Sequence, residues 1–172
     1  MSKIKVYPAE GFGAHIRSVE EITVALEALM SPASPSYVEY RLESPAVVVL
    51  PVTEEYIKVP GMIKGLSNNF SVTAGTLECE TTGTYLVNGT SDLEISKADD
   101  MTYSIFVNDT LVPHESTTVS FTASGKKRNI SITSIAAFSL GDTIEIHVKG
   151  GGVSGVTLTV NKLDVTLVQI PT

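Results

Sequence analysis

Histidines offer the widest chemistry in this sequence, because an imidazole can bind a metal ion or transfer a proton near neutral pH. The chain has three, His15, His114 and His147, and none stands at a metal-ligand spacing from another histidine, a cysteine or a carboxylate. His147 belongs to the alternating stretch TIEIHVKG. Since alternate side chains of a strand point to opposite faces, we expect Ile144 and Ile146 in the core and His147 exposed, with no catalytic role.

A glycine run follows that stretch, and such a run can hold a phosphate where it opens a helix. The run GGGVSG (150–155) leads into the strand-like VTLTV, so we expect a turned loop. Asp99 and Asp100 are adjacent in a predicted turn and supply too few oxygens for calcium. No Gly-x-Ser-x-Gly, Walker or His-Glu-x-x-His motif is present. We therefore expect a protein that is not an enzyme and needs no metal and no cofactor.

The charge balance argues against nucleic acid as a partner. The net charge is −7, with 12 basic against 19 acidic residues, whereas phosphate binding needs clustered lysines and arginines. The one basic cluster, Lys126, Lys127 and Arg128, follows Ser-Gly, and we expect it at a solvated hairpin tip. With His114, these three residues are the candidate loop contacts.

Compartment and membrane signals are few. A single cysteine, Cys79, allows no internal disulfide, and no apolar run is long enough to span a membrane. The opening MSKIKVYPAE lacks the features of a signal peptide. We therefore expect synthesis in a cytoplasm, with no membrane partner.

The elements that position these residues begin with one helix. Residues 18–30, SVEEITVALEALM, start with a capping box of Ser18 and Glu21. Apolar side chains recur there with helical spacing and form one stripe, at Val19, Ile22, Leu26 and Leu29. The proline-containing SPASPS (31–36) ends the helix. We interpret residues 1–36 as an attachment segment whose stripe contacts a second copy or another protein.

A connector is predicted next, over residues 37–66, because Pro45, Pro51 and Pro60 divide this segment into short pieces. Its AVVVL (46–50) reads as a buried strand at an interface. Val47 and Val49 therefore join the stripe as candidate attachment or oligomer-interface residues.

From residue 67 to residue 172 the pattern is β throughout. Short alternating runs are separated by turn residues, which is typical of an antiparallel sandwich or barrel. In VTLTVNKLDVTL the apolar phase shifts at Asn161-Lys162, which requires a turn or a bulge. The predicted strands are 69–73, 76–80, 84–95, 102–108, 116–123, 129–138, 143–149, 156–160 and 163–170.

The order of these motifs resembles the jelly-roll shared by complement globular heads and tumour-necrosis-factor-like proteins. The resemblance covers about residues 67–171 and rests on four stretches: TTGTYLVNGTSDLEIS, TYSIFVNDTLVP, SITSIAAFSLGDTIEIHVKG and KLDVTLVQI. The Gly141-Asp142 turn before the alternating strand is its most specific part. The fold class that it implies is a mainly β, antiparallel jelly-roll sandwich.

The resemblance also implies a homotrimer, since members of this family assemble around a threefold axis. Versions with a separate N-terminal segment are similar to bacteriophage head-fibre, capsid-decoration and tail-fibre proteins. We therefore expect a structural virion protein, anchored to capsid, portal or tail proteins through residues 1–60. The alternative is a module that binds a receptor or glycan on the host cell surface through its exposed loops, notably 108–115, 124–128 and 150–155. In a threefold assembly, His114 or His147 can meet its own copies, so an axial ion stays open.

Overall fold

The computed structural model describes residues 35–171, without the side chains of residues 113–115. The described residues contain no α-helix, and no helix among them is long and apolar enough to cross a membrane. The chain forms twelve strands: Tyr37–Leu42 (β1), Ala46–Leu50 (β2), Ile57–Lys58 (β3), Met62–Asn68 (β4), Phe70–Thr73 (β5), Thr76–Cys79 (β6), Gly83–Ile95 (β7), Asp99–Val107 (β8), Thr110–Phe121 (β9), Lys127–Phe138 (β10), Thr143–Gly150 (β11) and Val156–Gln169 (β12).

The strands build two antiparallel sheets of six strands each. Sheet A has the order β10-β7-β12-β1-β4, and β2 also pairs with β12. Sheet B has the order β5-β6-β11-β8-β9, and β3 also pairs with β11. The expectation of an antiparallel jelly-roll sandwich is confirmed, because the two sheets enclose one hydrophobic core.

The alternation predicted for the core strands is confirmed. Ile144, Ile146 and Val148 of β11 are no more than 1% exposed, whereas the side chains between them point to the outer face of sheet B. The core pairs long aliphatic residues of sheet A, such as Leu158 and Leu167, with the aromatic and aliphatic residues of sheet B. Burial of one face of each sheet sets the register of every strand.

The phase shift at Asn161 is a β-bulge. The pairing of β12 with β7 slips between Val160 and Lys162, so one extra residue lies in β12. The two predicted strands 156–160 and 163–170 are therefore one long strand that changes its side-chain phase in the middle.

Residues 37–66 belong to the sandwich, which corrects the predicted connector and the predicted domain start at residue 67. β1 and β2 both pair with β12, β4 pairs with β1, and β3 pairs with β11. The prolines lie between these strands and not within them, so they separate the strands but do not prevent them from pairing in the sheets. The compact unit accordingly begins at Pro35.

Both chain ends of the sandwich lie at one end of it, which we call the junction end. The Ser36 N–H donates to Oε1 of Gln169 at 3.1 Å, and the Gln169 N–H donates to the Ser36 carbonyl at 2.8 Å. Nδ2 of Asn69 donates to Oγ of Ser36, at 3.0 Å, and Ser36 is fully buried. The chain therefore enters the sandwich at a fixed point.

Candidate functional site

The outward face of sheet A carries a row of apolar side chains that crosses four adjacent strands. Ile135 of β10 lies opposite Leu86 of β7, Leu86 lies opposite Val168 of β12, and Val168 lies opposite Tyr37 of β1. Directly opposed residues of antiparallel strands share a face, so the four side chains are neighbours. We call them the apolar row.

The apolar row is open to solvent. Ile135 is 65% exposed, Tyr37 40% and Val168 39%, and Leu86 is half-buried. Apolar side chains that are contiguous on an exposed sheet face, unlike single exposed ones, indicate a contact surface. This row is the strongest candidate for an assembly site in the described residues.

The same face becomes polar and charged away from the junction end. Nζ of Lys162 lies 2.7 Å from Oδ2 of Asp164, and Nδ2 of Asn129 donates to Oδ1 of Asp92 at 2.5 Å. The Asp164 carboxylate raises the pKa of the exposed Lys162. The face therefore combines an apolar end with a charged rim, as protein interfaces do.

The predicted interface residues of β2 lie on this face as well. Ala46, Val48 and Leu50 are buried, whereas Val47 is 62% exposed and Val49 68% exposed. AVVVL therefore forms a strand, as predicted, of which only one face packs on the core; its burial at an interface stays a prediction. The four apolar residues of the predicted helix, Val19, Ile22, Leu26 and Leu29, lie outside the described residues.

The outer face of sheet B is covered in part by residues 51–59, which we call the strap. The strap leaves sheet A after β2, and its β3 pairs with the end of β11. The Tyr56 ring packs edge-on against Phe106 with 5.0 Å between centroids, and Oγ of Ser104 donates to Oη of Tyr56 at 3.3 Å. The strap is therefore packed onto the sheet and is not a free loop.

A carboxylate ties the strap to β11. Oε1 of Glu145 lies 2.6 Å from Nζ of Lys58 and 2.6 Å from Oγ1 of Thr76, and Oε2 lies 2.9 Å from Nε2 of His147. Burial alone would raise the pKa of Glu145, but the hydrogen bonds from Lys58, Thr76 and His147 outweigh it and lower the pKa to about 2. Glu145 is thus ionised at neutral pH.

His147 differs from its predicted environment. It points to the outer face of sheet B, as expected, but its side chain is only 13% exposed. Its ring stacks on Phe106 at 4.1 Å between centroids, and its Nδ1 is buried without a hydrogen-bond partner. The expectation of an exposed His147 is therefore wrong, since the strap and Phe106 cover a position that periodicity marks as outward.

The glycine run forms a tight loop at the end opposite the junction end, which we call the distal end. The Gly151 N–H donates to Oδ2 of Asp99 at 3.2 Å, and Nζ of Lys97 donates to the Ser154 carbonyl at 2.8 Å. A Cβ on Gly151 would lie 2.7 Å from Oδ1 of Asp99, so a larger residue there would have to displace the Asp99 carboxylate. Asp99 therefore serves as a loop anchor.

The candidate contact loops do not meet at one place. Residues 124–128 and 150–155 both lie at the distal end, where Oγ of Ser96 accepts from the Thr157 N–H at 2.8 Å and the Ser96 carbonyl accepts from Oγ of Ser124 at 2.6 Å. The turn Asn108-Asp109 lies at the junction end, where Nδ2 of Asn108 donates to Oδ1 of Asp142 at 2.8 Å. The side chain of His114 lies outside the described residues.

The basic cluster is solvated. Lys126, Lys127 and Arg128 are exposed, and Nζ of Lys127 lies 3.4 Å from Oε2 of Glu94. An exposed pair of this kind contributes little to stability.

Metal-ligating residues do not cluster within the described part of the chain, where no group of three or more His, Cys, Asp or Glu side chains is placed to hold an ion. Cys79 is buried and unpaired by a disulfide.

Sequence reasoning missed the apolar row and the strap. The four row residues are far apart in the chain, and only the strand register places them side by side. A usable signal was present in β10, where Ile135 interrupts the polar phase of ITSIAAF.

Comparison with known proteins identifies the fold. No family model matches the chain, and no curated protein sequence does. Solved structures do match: the Eiger TNF of S. frugiperda, at a TM-score of 0.62 and 12% identity, covers 80% of this chain and 94% of its own. Murine APRIL, at a TM-score of 0.50 and 12% identity, covers 80% of this chain and 100% of its own. The described residues therefore form a jelly-roll sandwich of the TNF-like type.

Proposed function

We propose that this chain is a non-enzymatic structural protein whose sandwich assembles with two further copies into a homotrimeric head. The observation that carries the proposal is the apolar row, which lies exposed on the open face of a TNF-like sandwich. The resemblance of residues 67–171 to complement and TNF-like heads adds the threefold symmetry. A trimer would bury the row and leave the charged rim at its edge.

The energetics favour burial of this row. Burial of apolar surface in an interface favours association by about 25 cal/mol for each Å² removed from water. The row contributes four apolar side chains per copy. A cyclic assembly lets every copy bury its row against a neighbouring copy.

The solution mass of the full chain tests this proposal. Multi-angle light scattering at micromolar concentration is expected to give three chains of 18.3 kDa each per particle. A monomer at that concentration would contradict the proposal.

The proposed location is a bacteriophage virion, as a head-fibre, capsid-decoration or tail-fibre protein made in the cytoplasm of the host. What supports it is the resemblance to phage heads with a separate N-terminal segment, together with a single cysteine. In this proposal residues 1–60 include the attachment site, with the predicted apolar stripe docking onto another virion protein.

Incorporation into particles tests the attachment. Leu26→Asp is expected to leave the melting of the head unchanged and to remove the protein from purified particles. Val24→Asp, on the opposite side of the predicted helix from the stripe, is the matched control and is expected to incorporate normally. Normal incorporation of Leu26→Asp would contradict the attachment role.

A second candidate function is recognition of a host-surface protein or glycan. The observation that favours it is the set of loops at the distal end, which face away from the point where the chain enters the sandwich at Ser36. Loops carried by a rigid scaffold are common recognition surfaces. Binding of the purified chain to host cells, lost on Lys126→Ser with Lys127→Ser, would favour this function over a purely structural one.

A further inference from the structure

Strand β2 has one free edge within the described residues. On one side it pairs with β12 over all five positions, from Leu50 opposite Val156 to Ala46 opposite Val160. β1, which continues into β2, is covered on its other side by β4, but β4 ends opposite Leu42. The edge of β2 is therefore left without a backbone partner in the described part of the chain.

The backbone groups at this edge can be assigned. The Thr157 carbonyl accepts from Ser96, so the polar groups of Thr157 point toward β7. Those of Val156 and Leu158 then point toward β2, where they meet Leu50 and Val48. It follows that the N–H and C=O groups of Val47 and Val49 point away from β12, toward the free edge.

The edge also lacks the usual protection against pairing. Native edge strands are commonly blunted by a lysine, a bulge or an internal proline. β2 has the sequence AVVVL, its register with β12 is continuous, and Pro45 and Pro51 flank it without entering it. Val47 and Val49 are 62% and 68% exposed.

We propose that β2 is an interaction site for β2 of a second copy, paired antiparallel about a twofold axis at Val48. In this register Val47 lies opposite Val49 of the second copy, and Val49 lies opposite its Val47. All four residues present their free N–H and C=O groups to each other, so the pair closes four hydrogen bonds. The register is self-complementary, as a twofold interface requires.

Charge and proline placement fit this register. Pro45 falls opposite Pro51 of the second copy, which ends the ladder after five residues because proline has no N–H. Ser44 falls opposite Val52 and Glu43 opposite Thr53, so no like charges face each other. The contact joins sheet A of the two copies into one continuous sheet.

The site is separate from the apolar row, so it goes beyond the proposed trimer. A five-residue strand pair is a small interface and is expected to be weak between isolated particles. Many copies displayed on one surface would strengthen it through multivalency. The pairing therefore provides lateral contact between neighbouring heads.

The test compares two charged double variants of the full chain. V47K with V49K places lysine opposite lysine, whereas V47K with V49E places lysine opposite glutamate at both positions. Both variants place two charged side chains on β2; they differ in the cross-strand charge pairing and by two units of net charge per chain. Sedimentation velocity over a concentration series measures whether the base assembly, the proposed trimer, doubles in mass. Hydrogen exchange measures the protection of the Val47 and Val49 amides, with the Val48 amide as internal reference.

We expect concentration-dependent doubling of the wild type, with matching protection of the Val47 and Val49 amides. The lysine–lysine variant is expected to lower the association constant about tenfold, and the lysine–glutamate variant to change it less than about threefold.

Equal loss in both variants, or doubling that persists in the lysine–lysine variant, would contradict the register. Absence of doubling would contradict the proposal, and amides protected at every concentration would then assign the edge to another segment of the same chain. A change in the base assembly itself would bear on the apolar row instead, so the two proposals fail separately.

Discussion

The hydroxyl of Tyr103 in sheet B lies 3.4 Å from the position that a Cβ on Gly89 of sheet A would occupy. The Tyr103 side chain thus reaches across the core, and its end lies beside Gly89 in the middle of β7. Its hydroxyl is buried and has no hydrogen-bond partner, and burial raises the pKa of Tyr103 far above its usual range. Tyr103 therefore places a polar group inside the core of the sandwich.

Tyr103→Phe is expected to stabilise the sandwich. The change removes a buried hydroxyl that makes no hydrogen bond, and the free energy of unfolding is expected to rise by about 1 kcal/mol. Chemical denaturation measures it. The matched control is Tyr85→Phe, because the Tyr85 hydroxyl donates to the Thr81 carbonyl at 2.7 Å. That variant is expected to lose stability, and equal effects of the two variants would contradict the assignment.

Glu145→Gln is expected to destabilise the strap and to make the stability of the protein depend less on pH in the acid range. The folded pKa of Glu145, about 2, lies below its ordinary value of 4.5, so its contribution is present above about pH 4.5 and is lost as the pH falls toward 2. At pH 7 the variant is expected to lose about 1–3 kcal/mol, because hydrogen bonds to a charged group are removed.

Melting temperatures measured from pH 7 to pH 2 check this prediction. Glu94→Gln is the matched control, since Glu94 makes an exposed pair with Lys127. The control is expected to follow the wild-type pH profile. A Glu145→Gln profile parallel to the wild type in this window would show that the Lys58 contact does not stabilise the fold.

Gly151→Ala is expected to destabilise the distal loop by about 1–3 kcal/mol, because the new methyl group would meet the Asp99 carboxylate at 2.7 Å. In an Asp99→Ala background the same change is expected to cost less. A double-mutant cycle on thermal stability measures the coupling. Additive effects would mean that Asp99 does not occupy the space beside Gly151.

The strands after residue 67 could be predicted because the patterns that indicate them lie in neighbouring residues. The alternation of β11 and the Gly141-Asp142 turn can be identified from neighbouring residues alone. In the structure Gly141 has a positive φ of 86°, and Oδ2 of Asp142 accepts from the Ser139 N–H at 2.7 Å. The irregularity near Asn161 followed from the shift in apolar phase for the same reason, but the phase alone left a turn or a bulge open, and the structure shows the bulge.

Strand β2 matches the predicted strand AVVVL, but the place of β1 to β4 in the sheets could not be predicted in the same way. These strands are short and separated by prolines; β1, β2 and β3 pair with β12 or β11 far along the chain, and β4 pairs with β1. The environment of His147 also depends on distant residues, because Phe106 reaches it only through the pairing of β8 with β11. The apolar row has the same origin, since its members share a face only after the register is set.

The most direct test of the central claim is the solution mass of Ile135→Asp beside that of Leu140→Asp. Both side chains are apolar and similarly open, at 65% and 69% exposure, but only Ile135 belongs to the apolar row. A buried, unpaired carboxylate in an interface costs several kcal/mol, so light scattering is expected to give a folded monomer for Ile135→Asp and a trimer for Leu140→Asp. A trimer of unchanged mass for Ile135→Asp would contradict assembly through the open face of sheet A.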